Sequence, residues 1–172
     1  DIFSHLVQNT PSFKKILDEA GSFFKENNIF VLQGEEGLEK SAWARALFLS
    51  QYSDMGEFLK IEFSGKEPTE NEELDALYKA LENGNNSALY IENIHKLSED
   101  EKSNIREGLM ASSKKSKSKI FIAVSEKEEN IFMNEESFTE VNIPPLRASL
   151  KEISQILDET VKFFVERDGH GY

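Results

Sequence analysis

The run Ile120-Phe121-Ile122-Ala123-Val124 carries no polar side chain on either parity of the chain. A strand of this kind buries both of its faces, which happens at the centre of a parallel sheet covered by helices on two sides. Ile29-Phe30-Val31-Leu32 and Ala88 to Ile91 have the same character, Phe58 to Phe63 alternates as a strand should, and Glu140 to Ile143 is a last, shorter strand. Between these runs the apolar spacing turns helical. Thr10 offers a cap and Pro11 suits the first turn of a helix in which Phe13, Ile16, Leu17, Ala20 and Phe24 recur. Glu39 to Gln51, with Trp43 and Leu47 among alanines, predicts a second helix. Pro68-Thr69 opens a third, with Leu74, Leu77 and Leu81 inward, which stops at Asn83-Gly84. Ser98 and Glu101 form a capping-box pattern ahead of a helix through Ile105 and Leu109, and a final amphipathic helix spans about Ser149 to Val165. Strands and helices in this alternation imply right-handed crossovers, hence an α/β fold with one parallel sheet.

A chain of 172 residues suits one domain with a real core. Its 38% hydrophobic and 30% charged residues are the balance of a water-soluble globular protein. No apolar run reaches the roughly 18 to 20 residues that cross a bilayer, and the amino terminus lacks a signal-peptide pattern, so a cytoplasmic protein without membrane contact is expected. Asp1 in place of a methionine leads us to expect a piece of a longer protein. With no cysteine, disulfides, thiolate metal sites and cysteine nucleophiles are excluded. A net charge of -12 repels phosphate backbones, so nucleic-acid contact by this domain is not expected.

The first buried strand runs straight into Gly34-Glu35-Glu36-Gly37-Leu38-Glu39-Lys40-Ser41 and then a helix, the context of a phosphate-binding loop. In such a loop glycines let backbone N–H groups converge on phosphate, while the lysine and hydroxyl serve the terminal phosphate and magnesium. Gly34, Lys40 and Ser41 stand at anchor positions; the glycine expected just before the lysine is Glu39, which adds bulk and negative charge. The third strand delivers Leu89-Tyr90-Ile91-Glu92-Asn93-Ile94. Glu92 keeps a carboxylate for magnesium, whereas the Asn93 amide can orient a water but cannot accept its proton.

Elsewhere the readings are plainer. Ser112 to Lys119, rich in serine and lysine, reads as a solvated loop. His5, His95 and His170 show no metal-ligand spacing. The thirteen phenylalanines read as core, with Phe163, Phe164 and Val165 marking a surface that a partner or further helices would cover.

The pieces resemble, in order, the AAA+ central domain of the bacterial enhancer-binding proteins that activate sigma-54 RNA polymerase. Asn9-Thr10-Pro11-Ser12-Phe13 is similar to that family's approach to its first helix, Val31-Leu32-Gln33-Gly34-Glu35 to the strand leading into its Walker A loop, and Ala42-Trp43-Ala44-Arg45-Ala46-Leu47 to the helix that follows. Ala88 to Leu97 resembles the Walker B strand and its exit, and Ile143-Pro144-Pro145-Leu146-Arg147 the link into the helical lid, the most specific match. The resemblance implies a three-layer P-loop NTPase-like (AAA+) core over residues 1–147 with a five-stranded parallel sheet, followed at 148–172 by a C-terminal helix that is all that stands for the lid. It also implies a nucleotide site of Gly34, Glu35, Gly37, Glu39, Lys40 and Ser41, magnesium at Ser41 and Glu92, and Asn93 where the family keeps its catalytic glutamate.

Three further departures follow from that comparison. After the second strand come only Ser64-Gly65-Lys66-Glu67-Pro68, with no counterpart of the sigma-contacting loop. Ser125 to Thr139 holds no arginine where the family places its finger, and the polar sensor falls on Ser125-Glu126. The expected protein is therefore a non-hydrolysing module of a bacterial transcription regulator. It would act through other protein domains, subunits or the sigma factor, bind ATP or ADP with magnesium weakly, and be a monomer or small oligomer. Two rival readings are a working ATPase, with Glu92 on magnesium and another acid such as Glu126 activating water, and an interaction domain that has abandoned nucleotide.

Overall fold

The computed structural model describes residues 2–53, 56–65, 72–83, 88–115, 117–125, 132 and 135–168. In chain order the elements are α1 (Ile2–Asn9), α2 (Pro11–Gly21), β1 (Ile29–Gly34), α3 (Lys40–Gln51), β2 (Phe58–Glu62), α4 (Glu72–Asn83), β3 (Ala88–Glu92), α5 (Glu99–Ser113), β4 (Lys119–Ser125), β5 (Phe138–Asn142) and α6 (Leu150–Asp168). The strands form one sheet in the order β2-β3-β4-β1-β5, and every pairing is parallel. Parallel neighbours need long crossovers, and the helices between successive strands supply them.

Strand parity divides the core into two layers. Phe30 and Leu32 of β1, Tyr90 of β3, Phe121 of β4 and Val141 of β5 face α2 and α3, where Phe13, Leu17, Trp43 and Leu47 are buried against them. Ile29 and Val31, Leu89 and Ile91, and Ile120 and Ile122 face the opposite way, onto Leu77 of α4 and Ile105 and Leu109 of α5. The all-apolar reading of 120–124 is met on both faces, since all of β4 is buried. The edge strand β2 hides only Ile61 fully, which is why its sequence alternates.

Several local readings need correction. No separate helix is expected before Pro11, yet Ile2–Asn9 is helical and packs on α3 and α6. Eight residues are too few to hold a helix alone, so this one rests on tertiary packing of Leu6 and Val7. Thr10 does not cap α2: its hydroxyl donates to the Leu6 carbonyl at 2.8 Å, because the carbonyls of the preceding helix are the nearer partners. The Glu152 carboxylate of α6 takes over, accepting from the Ser12 amide at 2.9 Å, and that bond holds Glu152 below the usual carboxylate range. Phe24 lies beyond the end of α2, its ring tilted against that of Phe30 with centroids 4.6 Å apart. The capping box at α5 forms as read, with the Glu101 amide donating to Ser98 Oγ and the Glu101 carboxylate accepting from the Ser98 amide at 2.8 Å. The helix openings read at Pro68-Thr69 and the stop at Gly84 lie outside the described residues.

The solvated-loop reading of Ser112 to Lys119 fails at its ends. Ser112, Ser118 and Lys119 are buried. Lys119 begins β4, and its ammonium exchanges water for three oxygens: the carbonyls of Phe24 and Asn27 and Oδ1 of Asn28. The phenylalanines are not uniformly core either, for Phe3, Phe23 and Phe163 are exposed. Phe164 is covered within the chain, edge-on to His5 of α1, while Phe163 stacks on the same imidazole at 4.5 Å and Val165 faces out.

Candidate functional site

The loop after β1 holds two glycines for two different reasons. Gly37 has φ +83° with nothing near its missing side chain, so it serves backbone conformation. Gly34 serves space: a Cβ there would lie 2.9 Å from Leu38 Cδ1 and 3.2 Å from the Ile143 carbonyl. Glu39, standing where a third glycine was expected, has φ -74° and ψ 68°. Those angles are those of an inverse γ-turn, and the bond that defines the turn is present, Lys40 N donating to the Leu38 carbonyl at 2.8 Å. Helix α3 therefore starts at Lys40, one residue later than the sequence suggested. The Glu39 side chain is exposed and does not line the cleft, so its bulk is not in the site; what it brings is a turned backbone and a nearby negative charge.

Above this loop a cleft of about 280 Å³ opens at the carboxyl ends of β1, β3 and β4. It is lined by Glu36, Gly37, Leu38 and Lys40 of the loop, Glu92, Asn93 and His95 after β3, and Ala123, Val124 and Ser125 of β4. Gly34 pairs with Ser125, so the cleft sits where β1 and β4 part. From β1 the chain passes to α3 on one face; Phe132, beyond β4, packs on the other. Such a divergence of crossovers leaves a crevice at the strand ends, the usual place for ligands in open α/β sheets.

Of the residues singled out from sequence, Gly37, Lys40, Glu92, Asn93 and Ser125 reach this cleft, Gly34, Glu35, Glu39 and Ser41 do not line it, and Glu126 lies outside the described residues. Lys40 is buried, and its Nζ donates to the Glu35 carbonyl at 3.0 Å. Glu35 turns outward to Arg147, whose Nη1 lies 2.8 Å from each carboxylate oxygen. That pair ties the loop to the segment after β5 that carries Pro144 and Pro145. Asn93 sits in the left-handed region at φ 63°, which asparagine tolerates better than most side chains. Its Nδ2 donates to Glu62 Oε1 at 3.2 Å. Glu92 meets Lys60 of β2 at 3.2 Å. The Tyr90 hydroxyl is fully enclosed. Burial first, and then the carboxylates of Glu92, Glu39 and Glu62, keep Tyr90 protonated far above the ordinary tyrosine range.

Sequence reading missed His95 and Lys60. His95 follows β3 in a single 3₁₀ turn, and only the closing of the chain onto the sheet end brings it to the cleft. Lys60 is an ordinary edge-strand lysine until the parallel register sets Glu62 opposite Glu92. The described side chains do not fit a magnesium ion as arranged. Glu92 already holds an ammonium, Asn93 turns its amide donor to Glu62, Ser41 lies off the cleft, and among the described residues no three His, Asp or Glu side chains gather as a metal set. Compared with known protein families and with curated proteins, the chain matches none.

Proposed function

We propose that this chain is a P-loop-like module of the AAA+ type, resembling the central domain of sigma-54 activators, that does not hydrolyse ATP and works through contacts with other proteins. The observation that carries the reading is the end of β3, where an amide stands in the cleft beside Lys40 and Glu92 in place of a general base. An amide has no useful basicity at neutral pH. Supporting it, β1 lies between β4 and β5, whereas the dinucleotide-binding order places β1 beside β2. The strand-loop-helix passage with Lys40 opening α3 also supports it, being the context in which phosphate-binding loops occur.

ATP or ADP binds weakly at most, because loop donors that would meet phosphate are engaged with Leu38 and Glu35 and because Glu36 and Glu92 add negative charge to the lining. Calorimetric titration with ATP and with ADP, followed by a phosphate-release assay, tests the proposal. The expected outcome is no steady turnover. Turnover that disappears in Lys40→Ala would overturn it, and its parallel loss in His95→Ala would name the cleft histidine as the base.

A further inference from the structure

Adjacent strands β2 and β3 put Glu62 directly opposite Glu92, on the face that carries Tyr90. Two carboxylates opposite each other across parallel strands repel, and oxygen pairs of this sort are what hard divalent cations seek. Here a side chain answers the charge instead. Lys60, two residues before Glu62 and on the same side of β2, places Nζ 3.2 Å from Glu92 Oε2 and 3.5 Å from Glu62 Oε2. The same ammonium lies 5.9 Å from the centre of the Tyr90 ring. Asn93 completes the arrangement by donating to the other Glu62 oxygen. A second observation marks this as more than a surface cluster: Tyr90, the β3 residue paired with Lys60, is fully buried and its hydroxyl is wholly enclosed, so these charged groups border the core.

We infer that Lys60 acts as a built-in cation at the Glu62–Glu92 pair, in the role a divalent metal would otherwise fill, so that this cleft meets its ligands independently of metal. The ammonium neutralises the one cleft carboxylate at the end of β3 and fills the space between the two strands' acids. The assignment of Lys60 stands on the geometry of β2 and β3. Its meaning for nucleotide rests on the phosphate-loop reading proposed above.

The test uses Mn²⁺ as the probe, followed by electron paramagnetic resonance of the free ion and by the melting temperature, on the full chain. Wild type is expected to bind no Mn²⁺ below millimolar concentration and to melt unchanged in it. Lys60→Met and Lys60→Gln, two neutral replacements at an exposed strand position, are expected to gain a site with Kd on the order of 10⁻⁴ to 10⁻³ M, the range of weak oxygen-ligand sites. Lys60→Arg keeps the cation and is expected to behave as wild type, and adding Glu92→Gln to Lys60→Met is expected to abolish the gained site. Mn²⁺ binding by wild type that Glu92→Gln removes would overturn the inference, as would folded neutral variants that gain nothing. ADP titrated with and without EDTA separates the two proposals. No ADP binding in either condition removes residual nucleotide binding from the phosphate-loop reading and leaves Lys60 as assigned, whereas ADP binding that requires a divalent ion defeats the role given to Lys60.

Discussion

Replacing Lys119 by methionine isolates a buried ammonium that ties the start of β4 to the segment ahead of β1. Lys119 is 4% exposed, and its three N–H donors match the carbonyls of Phe24 and Asn27 and Oδ1 of Asn28, with the Phe24 ring 5.1 Å away. These bonds hold the segment between α2 and β1 against the start of β4, where the Ile120 amide also reaches the Asn28 carbonyl at 2.8 Å. Each charge-assisted bond contributes about 1.5–3 kcal/mol, so three give roughly 4.5–9 kcal/mol before opposing terms. Burial opposes them and holds the Lys119 pKa below the ordinary lysine value, and removing an ion from water costs several kcal/mol. Methionine keeps the apolar stem but leaves three acceptors to find water, so we expect a net loss of about 3 kcal/mol, a large part of the roughly 5–15 kcal/mol typical of a domain. At this chain length that corresponds to a melting temperature lower by about 6–12 °C. Urea unfolding at neutral pH, with calorimetry as a second probe, measures it. A loss under about 1 kcal/mol would refute the reasoning, since the carbonyls would then be as well served by water as by the ammonium.

Three other outcomes follow from the structure. Gly34→Ala should lose about 1–3 kcal/mol, because its methyl must displace Leu38 and press on the Ile143 carbonyl; an unchanged urea midpoint would show that the loop yields freely. Ser98→Ala should lose about 1 kcal/mol through the capping box at the start of α5, read as a melting temperature roughly 2–4 °C lower, with Ser98→Asp expected to restore most of it. His5 has its pKa lowered, first by burial and then by nearby positive charge, Arg167 contributing least, so the fold prefers the neutral imidazole. Its contribution is then whole above the unfolded value of 6.5 and declines as pH falls below it through the folded value, so wild type should lose stability between pH 7.5 and 5.5 relative to His5→Phe, measured by urea midpoints. Equal slopes for the two proteins would rule out that coupling.

How much of this was legible beforehand depended on whether a feature is local. The strands β1, β3 and β4 declared themselves because a doubly buried strand must be apolar on both parities, and the α5 cap because its partners are three residues apart. The loop glycines and Lys40 were visible from spacing next to a strand, and five of the expected residues do converge on one cleft. What escaped notice depends on distant partners. Helix α1 exists by packing on α3 and α6, Lys119 looked solvated because its acceptors lie more than ninety residues away, and Glu152 caps a helix 140 residues before it. His95 and Lys60 look ordinary until the sheet closes and the register is known. Glu39 was rightly marked as a departure, but its effect is a turn of the backbone, which residue type alone does not specify.

The γ-turn at Glu39 bears on kinetics as well as affinity. Since the Lys40 amide is hydrogen-bonded to Leu38 and its ammonium to Glu35, a phosphate arriving at the loop must first trade places with two carbonyls of the protein itself. On the phosphate-loop reading proposed above, only molecules with the turn open would be receptive, and the apparent dissociation constant would rise by the reciprocal of their fraction. Association would then plateau at the rate of loop opening as ligand concentration increases, and a glycine at position 39, by loosening the turn, should lift that ceiling.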